Sequence, residues 1–208
     1  GTLFEKLFNG DSKETRLEFV ESQQAITPQD WSRDGRFLMY SVLSDLKVAG
    51  DLWVLPMEKG LKPFAFLRTD ADERPGKFSP DGRWVAYQSN QSGSVEIYAR
   101  PFPPGSGGQW QISASGGTQP RWSPDGKELY FIAPDGRLMA VSLVVKGATL
   151  EPGEPVPLFQ ARIAGRTTSI SRPQYDVAPD GRFLVNTALD SGASPITLLM
   201  NWNPEVKQ

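Results

Sequence analysis

The chain has 208 residues, with 22 Lys and Arg against 24 Asp and Glu and a net charge of −2. That balance excludes the basic footprint of a nucleic-acid binder and a polybasic membrane-surface patch. There is no Cys and no His, which removes disulfides, thiolate and imidazole metal sites, and the Ser-His-Asp and Cys-His nucleophile systems.

Residues 1–27 read as TLFEKLF, a polar turn NGDSKE, and TRLEFV. The register of the later units makes these two strands. Leu3, Phe4, Leu7 and Phe8 also carry helical spacing. No basic-then-apolar layout marks a signal peptide here. From residue 28 onward a pattern repeats: WSRDGRFLMY at 31–40, FSPDGRWVAY at 78–87, WSPDGKELYF at 122–131 and VAPDGRFLVN at 177–186. Asp-Gly between two apolar runs predicts a tight hairpin, since Gly takes φ > 0 without steric cost. The four turns are Asp34-Gly35, Asp81-Gly82, Asp125-Gly126 and Asp180-Gly181.

Each copy continues with further strands. DLWVLP and KPFAFLR follow the first, SVEIYAR and WQIS the second. After the third come APDG, RLMAVSLVV, an excursion through Pro152–Pro155, and VPLFQ; PITLLMNW follows the fourth. The longest mainly apolar run, Leu138 to Val145, is far short of the ~20 residues needed to span a bilayer, so no direct membrane insertion is expected.

The turn aspartates lie 47, 44 and 55 residues apart, a period that marks β-propeller blades of several strands each. The expected fold is all-β: a β-propeller of four-stranded antiparallel blades, about four to five in number. It is partial or closed by pairing of N- and C-terminal strands, with residues 15–20 beside 195–201. The division is a single domain, 1–208. Residues 1–27 are strands C and D of a preceding or closing blade. Blades follow at 28–68, 74–113 and 119–160, with an incomplete fourth at 173–202. In the second copy Trp84 and Ala86 share one face while Val85 and Tyr87 share the other, so both faces are apolar and the sheet is sandwiched between neighbours.

The block W/F-S-P-D-G-K/R followed by alternating apolar residues resembles the TolB-type propeller repeat, a relative of the WD-repeat blade. The ending PITLLMNWNPEVKQ resembles the C-terminal propeller of bacterial serine/threonine kinases that bear TolB repeats. That resemblance implies a sensor or interaction region and the extracytoplasmic, periplasmic side of a bacterial cell.

The turn aspartates read as structural, because their carboxylates accept nearby backbone N–H groups and they sit in separate blades. Asp70, Asp72 and Glu73 lack the Gly and distal Glu of a calcium loop, and no phosphate loop is present, so no metal and no cofactor is expected. The residues just before the strand A hydrophobe are more informative: Asp30, Lys77, Arg121 and Asp176. Strand A is innermost in a blade, so these charges belong near the central channel, Asp30 pairing with Lys77 and Arg121 with Asp176. Loops at the same mouth are expected to carry Gln29, Glu73, Arg74, Gln119, Arg172 and Gln174, a composition suited to protein or peptide recognition.

The function expected is a non-enzymatic module, a sensor that binds a protein or peptide partner or a small ligand, with no nucleic-acid partner and with homodimerisation through open blade edges as a further mode. Alternatives are a propeller that gates substrate for a hydrolase or peptidase domain, and a carboxylate-based sugar-active enzyme.

Overall fold

Short β-branched and aromatic runs separated by Gly-bearing turns produce strands throughout. The computed structural model describes residues 3–6, 13–17, 25–43, 49–105, 107–163, 173–187 and 198–199, and no helix occurs among them. A two-stranded ribbon, β1 (Phe4–Glu5) with β2 (Thr15–Arg16), comes first. A four-stranded sheet follows: β3 (Ala25–Trp31), β4 (Phe37–Leu43), β5 (Gly50–Pro56) and β6 (Phe64–Leu67). The next contains β7 (Glu73–Phe78), β8 (Trp84–Ser89), β9 (Glu96–Pro101) and β10 (Trp110–Gln111). The third has β11 (Thr118–Trp122), β12 (Glu128–Ile132), β13 (Arg137–Lys146), β14 (Thr149–Pro152) and β15 (Val156–Gln160). The last holds β16 (Tyr175–Val177), β17 (Phe183–Val185) and β18 (Leu198–Leu199). Every pairing among the described residues is antiparallel, and apart from β15, which pairs β13, the sheets are meanders of consecutive strands.

The two-residue period of a strand distributes side chains between two interfaces. Met39, Leu52, Val54 and Phe66 of the first sheet pack with Phe78, Val85, Tyr87 and Phe102 of the second. Trp84, Ala86 and Ile97 turn the other way and pack with Trp122, Leu129, Phe131 and Val141 of the third. Tyr130, Ile132 and Leu138 meet Tyr175, Phe183 and Val185 of the fourth. Thus β8 and β12 each serve two cores with alternate residues, as face-to-face stacking requires. The opposite face of the first sheet, Leu38, Tyr40, Val42 and Leu55, is partly covered by Leu3 and Leu17 beside the N-terminal ribbon. Each fully buried aliphatic or aromatic side chain in these interfaces contributes ~1.5–3 kcal/mol. Close approach constrains the glycine between the first two sheets: a Cβ on Gly76 would lie 2.4 Å from Met39 Sδ and 2.9 Å from Leu52 Cδ1.

Two features depart from the sequence reading. The excursion after β13 is a ribbon: β13 runs ten residues and turns at Gly147 (φ 63°) into β14. The chain then comes back through β15 onto the first half of β13. Leu143, Val145 and Leu150 of this ribbon pack with Trp110 and Ile112 of the second sheet, covering the short β10. The second departure concerns closure. Among the described residues β2 pairs with β1 and β18 with β17, so the described parts of 15–20 and 195–201 are not partners.

Candidate functional site

The turn following each inner strand has one hydrogen-bonding plan. In the second sheet Ser79 Oγ donates to Asp81 Oδ1 at 2.6 Å, Arg83 N to the same oxygen at 3.1 Å, and Arg83 Nε to Oδ2 at 2.7 Å. The Ser79 hydroxyl oxygen in turn accepts Trp84 N–H. Asp34 with Ser32 and Arg36, and Asp125 with Ser123 and Lys127, repeat the plan. Asp180 keeps its Arg182 bonds although Ala178 replaces the serine. Gly35, Gly82, Gly126 and Gly181 all have φ between 69° and 82°, the left-handed region that favours Gly. The Arg36 N–H, the Ser32 hydroxyl and the Arg36 guanidinium hold Asp34 down to about 2. These aspartates are fully engaged in shaping turns. A fifth Asp-Gly, Asp135-Gly136 between β12 and β13, uses Arg137 in the same way.

The first strands of the four sheets are neighbours in order, β3 beside β7, β7 beside β11 and β11 beside β16. They line an open cavity of about 410 Å³ whose wall includes Asp30, Lys77, Arg121 and Asp176. Both pairings predicted from register are formed. Lys77 Nζ lies 3.2 Å from Asp30 Oδ1 and also donates to the Gln29 carbonyl. Arg121 Nε lies 3.2 Å from Asp176 Oδ1, and its guanidinium stands over the Tyr175 ring. Asp30 Oδ2 further accepts Phe78 N–H at 2.8 Å, and Trp122 Nε1 donates to the Lys77 carbonyl at 3.0 Å. The inner strands are therefore stitched sheet to sheet by polar bonds.

Charge order matters here. Around the cavity the sequence is minus, plus, plus, minus, so each cation has an acid on one side and another cation on the other. Burial lowers the Lys77 pKa, Asp30 opposes that, and Arg121 adds to it. Of the three Lys77 N–H groups two are used. Arg121 uses one donor on Asp176 and one on the Pro120 carbonyl, leaving guanidinium donors beside the cavity. The arrangement can hold an anion.

The loop residues assigned to the mouth are placed differently. Gln29 belongs to β3 and donates to Ser41 Oγ at 2.8 Å. Glu73 and Arg74 lie within β7 and Gln119 within β11, and all three are buried. A register shift in each strand and the prolines Pro75 and Pro120 turn these side chains inward. Arg74 Nε is 2.7 Å from Asp72 Oδ1, which also accepts Gly50 N–H. Glu73 accepts the Thr69 hydroxyl through Oε1, and burial pushes its carboxyl up to about 7. Gln119 is a non-glycine residue at φ 59°. It accepts Gln174 N–H at 2.6 Å, and its own N–H donates to Gln88 Oε1. Gln174 accepts Asn186 Nδ2 at 2.7 Å. Arg172 lies outside the described residues. Among the described residues no acidic cluster suited to a metal ion occurs.

Sequence reading missed Trp31 as a cavity residue. Its register equivalents Phe78 and Trp122 are 6% and 8% exposed, whereas Trp31 is 46% exposed. The available signal was its position in the first copy of the repeat; among the described residues only β1 and β2 lie ahead of β3.

No family model matches the chain. It is 27% identical over 155 residues to an uncharacterized protein of Agrobacterium fabrum, Atu1656, covering 73% of this chain and 50% of that one. The chain thus spans about half the length of the curated relative it matches. TolB from Acinetobacter baumannii superposes with a TM-score of 0.62 at 16% identity, over 92% of this chain and 44% of that one. A puromycin-hydrolyzing peptidase of Mycobacterium tuberculosis gives 0.62 at 16%, over 86% and 31%. A protein named as a candidate 6-phosphogluconolactonase from Bacteroides uniformis gives 0.53 at 18%, over 89% and 57%. The expectation that the chain is not an enzyme is overturned by the last two: this fold occurs in proteins named as enzymes, so the fold does not exclude turnover. The stacked meanders, the inner-strand channel and these superpositions together give the chain a TolB-like β-propeller fold.

Proposed function

We propose that this propeller is an interaction module that binds a protein or peptide partner, or a small ligand, at the cavity between its inner strands. One observation carries the reading. Lys77 and Arg121 stand side by side on adjacent inner strands, each held by one acid and each with N–H donors left over. Donors fixed by their own partners are preorganised, so an anionic group meets them with little ordering cost. TolB-like neighbours support a role in recognition. The kinase association implied by residues 195–208 belongs to the same proposal and rests on that resemblance.

The test compares capture of partners from the host extract by wild type, Lys77→Gln and Arg121→Gln, with melting temperatures recorded for each. The reading requires that a partner held by wild type is lost from both stably folded variants. A partner retained equally by both variants overturns it.

A further inference from the structure

We infer that the inner cavity takes a carboxylate lying beside a planar apolar ring: the free C-terminus of a peptide ending in an aromatic residue, or a free aromatic acid with the same two groups. This rests on the reading of the cavity as a binding site and specifies what the site recognises.

Three features of the wall lead there. The first is charge. Asp30 and Asp176 face Lys77, Arg121 and Arg33 across the same cavity, an excess of one positive charge. One negative charge balances it, whereas the second charge of a phosphate would meet the two acids. The guanidinium fork also matches the planar geometry of a carboxylate.

The second is the ring of Trp31. It is the exposed member of a register position whose other members are buried, Phe78 and Trp122, or half-buried, Val177. Its Nε1 donates to Gly35 O at 3.1 Å, within its own turn, so the indole is held in place without a ligand. A fixed aromatic face gives contact area at small entropic cost, and stacked or edge-on ring pairs add ~0.5–1.5 kcal/mol beyond burial.

The third is the remaining lining. Pro80, Pro124 and Pro179 project from the turns of three successive sheets onto the same cavity. Proline rings are rigid and apolar, and lose no side-chain freedom on contact. A volume of about 410 Å³ lies within the range of small-ligand pockets and suits one ring with a short acid arm.

The experiment uses isotope-labelled chain and calorimetry with defined probes: 3-(indol-3-yl)propionate, its primary amide, propionate, and N-acetyl-Gly-Gly-Trp with a free or an amidated C-terminus. The free acids are expected to bind at the cavity and shift the Trp31 indole N–H resonance. The amides and propionate are expected to bind at least about tenfold more weakly. Trp31→Ala, at an exposed position, and Arg121→Gln should each weaken the acids by about 10- to 100-fold while the variants stay folded.

Tighter binding of the free-acid peptide assigns the terminus of a polypeptide, and tighter binding of indolepropionate assigns a small acid. Equal binding of acid and amide, equal binding of propionate, or indifference to Trp31→Ala overturns the inference. If no probe binds at millimolar concentration while partner capture still depends on Arg121, the ligand class falls and the cavity stands. If capture is also indifferent to Arg121, both fall.

Discussion

Arg74→Ala separates a structural arginine from a recognition one. Arg74 lies in β7 with its side chain 11% exposed, against Asp72 at 9%, and the two are joined at 2.7 Å. Asp72 Oδ1 is also the acceptor for Gly50 N–H at 3.0 Å, and Asp72 N–H donates to Asn90 Oδ1. The pair therefore ties the start of β7 to β5 of the first sheet and to the loop after β8. Removing the guanidinium strands a carboxylate in a site closed to water. Breaking a buried pair this way costs about 3–5 kcal/mol, which at ~2–4 °C per kcal/mol for a chain of this size is a melting decrease of roughly 6–20 °C. Arg137→Ala is the control. Its pair with Asp135 is just as short, 2.6 Å, but both side chains are about half exposed, so water screens it and little stability is at stake. Adding Asp72→Asn to Arg74→Ala, which removes the stranded charge and keeps an acceptor for Gly50, should recover part of the loss. Thermal and denaturant unfolding read all four proteins. A change for Arg74→Ala no larger than for Arg137→Ala would refute the reasoning and bring Arg74 back as a binding residue.

Asp81→Ala removes the acceptor of three bonds in one turn and should cost about 1 kcal/mol in denaturant unfolding. Ligand binding at the cavity should be unchanged, and its selective loss would show that the turn reaches the site. Glu73→Gln tests a titration. The buried carboxyl is pushed up to about 7 from 4.5, so the native state keeps a proton that the unfolded chain releases. Its contribution is fully present below pH ~4.5 and lost as pH rises through ~7. Wild-type stability should fall across that window relative to Glu73→Gln, and parallel profiles between pH 4.5 and 8 would contradict the assignment.

The fold was legible because its signals are local. An Asp-Gly turn, a serine two residues before it and alternating apolar residues after it are all short-range, and each recurs in phase. The Asp30–Lys77 and Arg121–Asp176 pairs were legible too, since register alone places equivalent positions of adjacent inner strands side by side. Placement failed where one residue of slip matters. The register shifts between Glu73 and Gly76 and between Thr118 and Arg121 move Glu73, Arg74 and Gln119 from the expected loop surface into the interior. No period count reveals a bulge. The β13–β14 ribbon was hidden for a related reason. Gly147-Ala148 is a good two-residue hairpin turn, but the four-strand repeat supplies no place for an extra strand. The ribbon exists because β10 is only two residues long and leaves Trp110 and Ile112 to be covered.

The charge order at the cavity follows from one register position of the inner strands. An inner-strand residue beside the channel faces water on one side and neighbouring backbone on the other, so a charge there needs a partner across the sheet boundary. Alternating signs around the ring would give every charge two opposite neighbours and leave nothing over. Here the order places two cations together. Each is satisfied enough to be tolerated at partial burial, because Asp30 and Asp176 offset the desolvation of Lys77 and Arg121. Each is also left with donors that the protein does not use. The asymmetry is largest at Arg121, which is 12% exposed while its partner Asp176 is 73% exposed. Asp176 is exposed apart from the Val177 N–H that its Oδ1 accepts at 3.0 Å, whereas the guanidinium is held over Tyr175 and bonded to the Pro120 carbonyl. In the proposed site an arriving carboxylate would compete with a solvent-exposed acid for a largely buried cation, and the exchange would leave no charge buried alone. Lys77 offers less, since Asp30 is 25% exposed against 73% for Asp176, and its second oxygen accepts the Phe78 N–H of the neighbouring strand. Under the proposed binding role, removing Arg121 is for that reason expected to weaken capture more than removing Lys77.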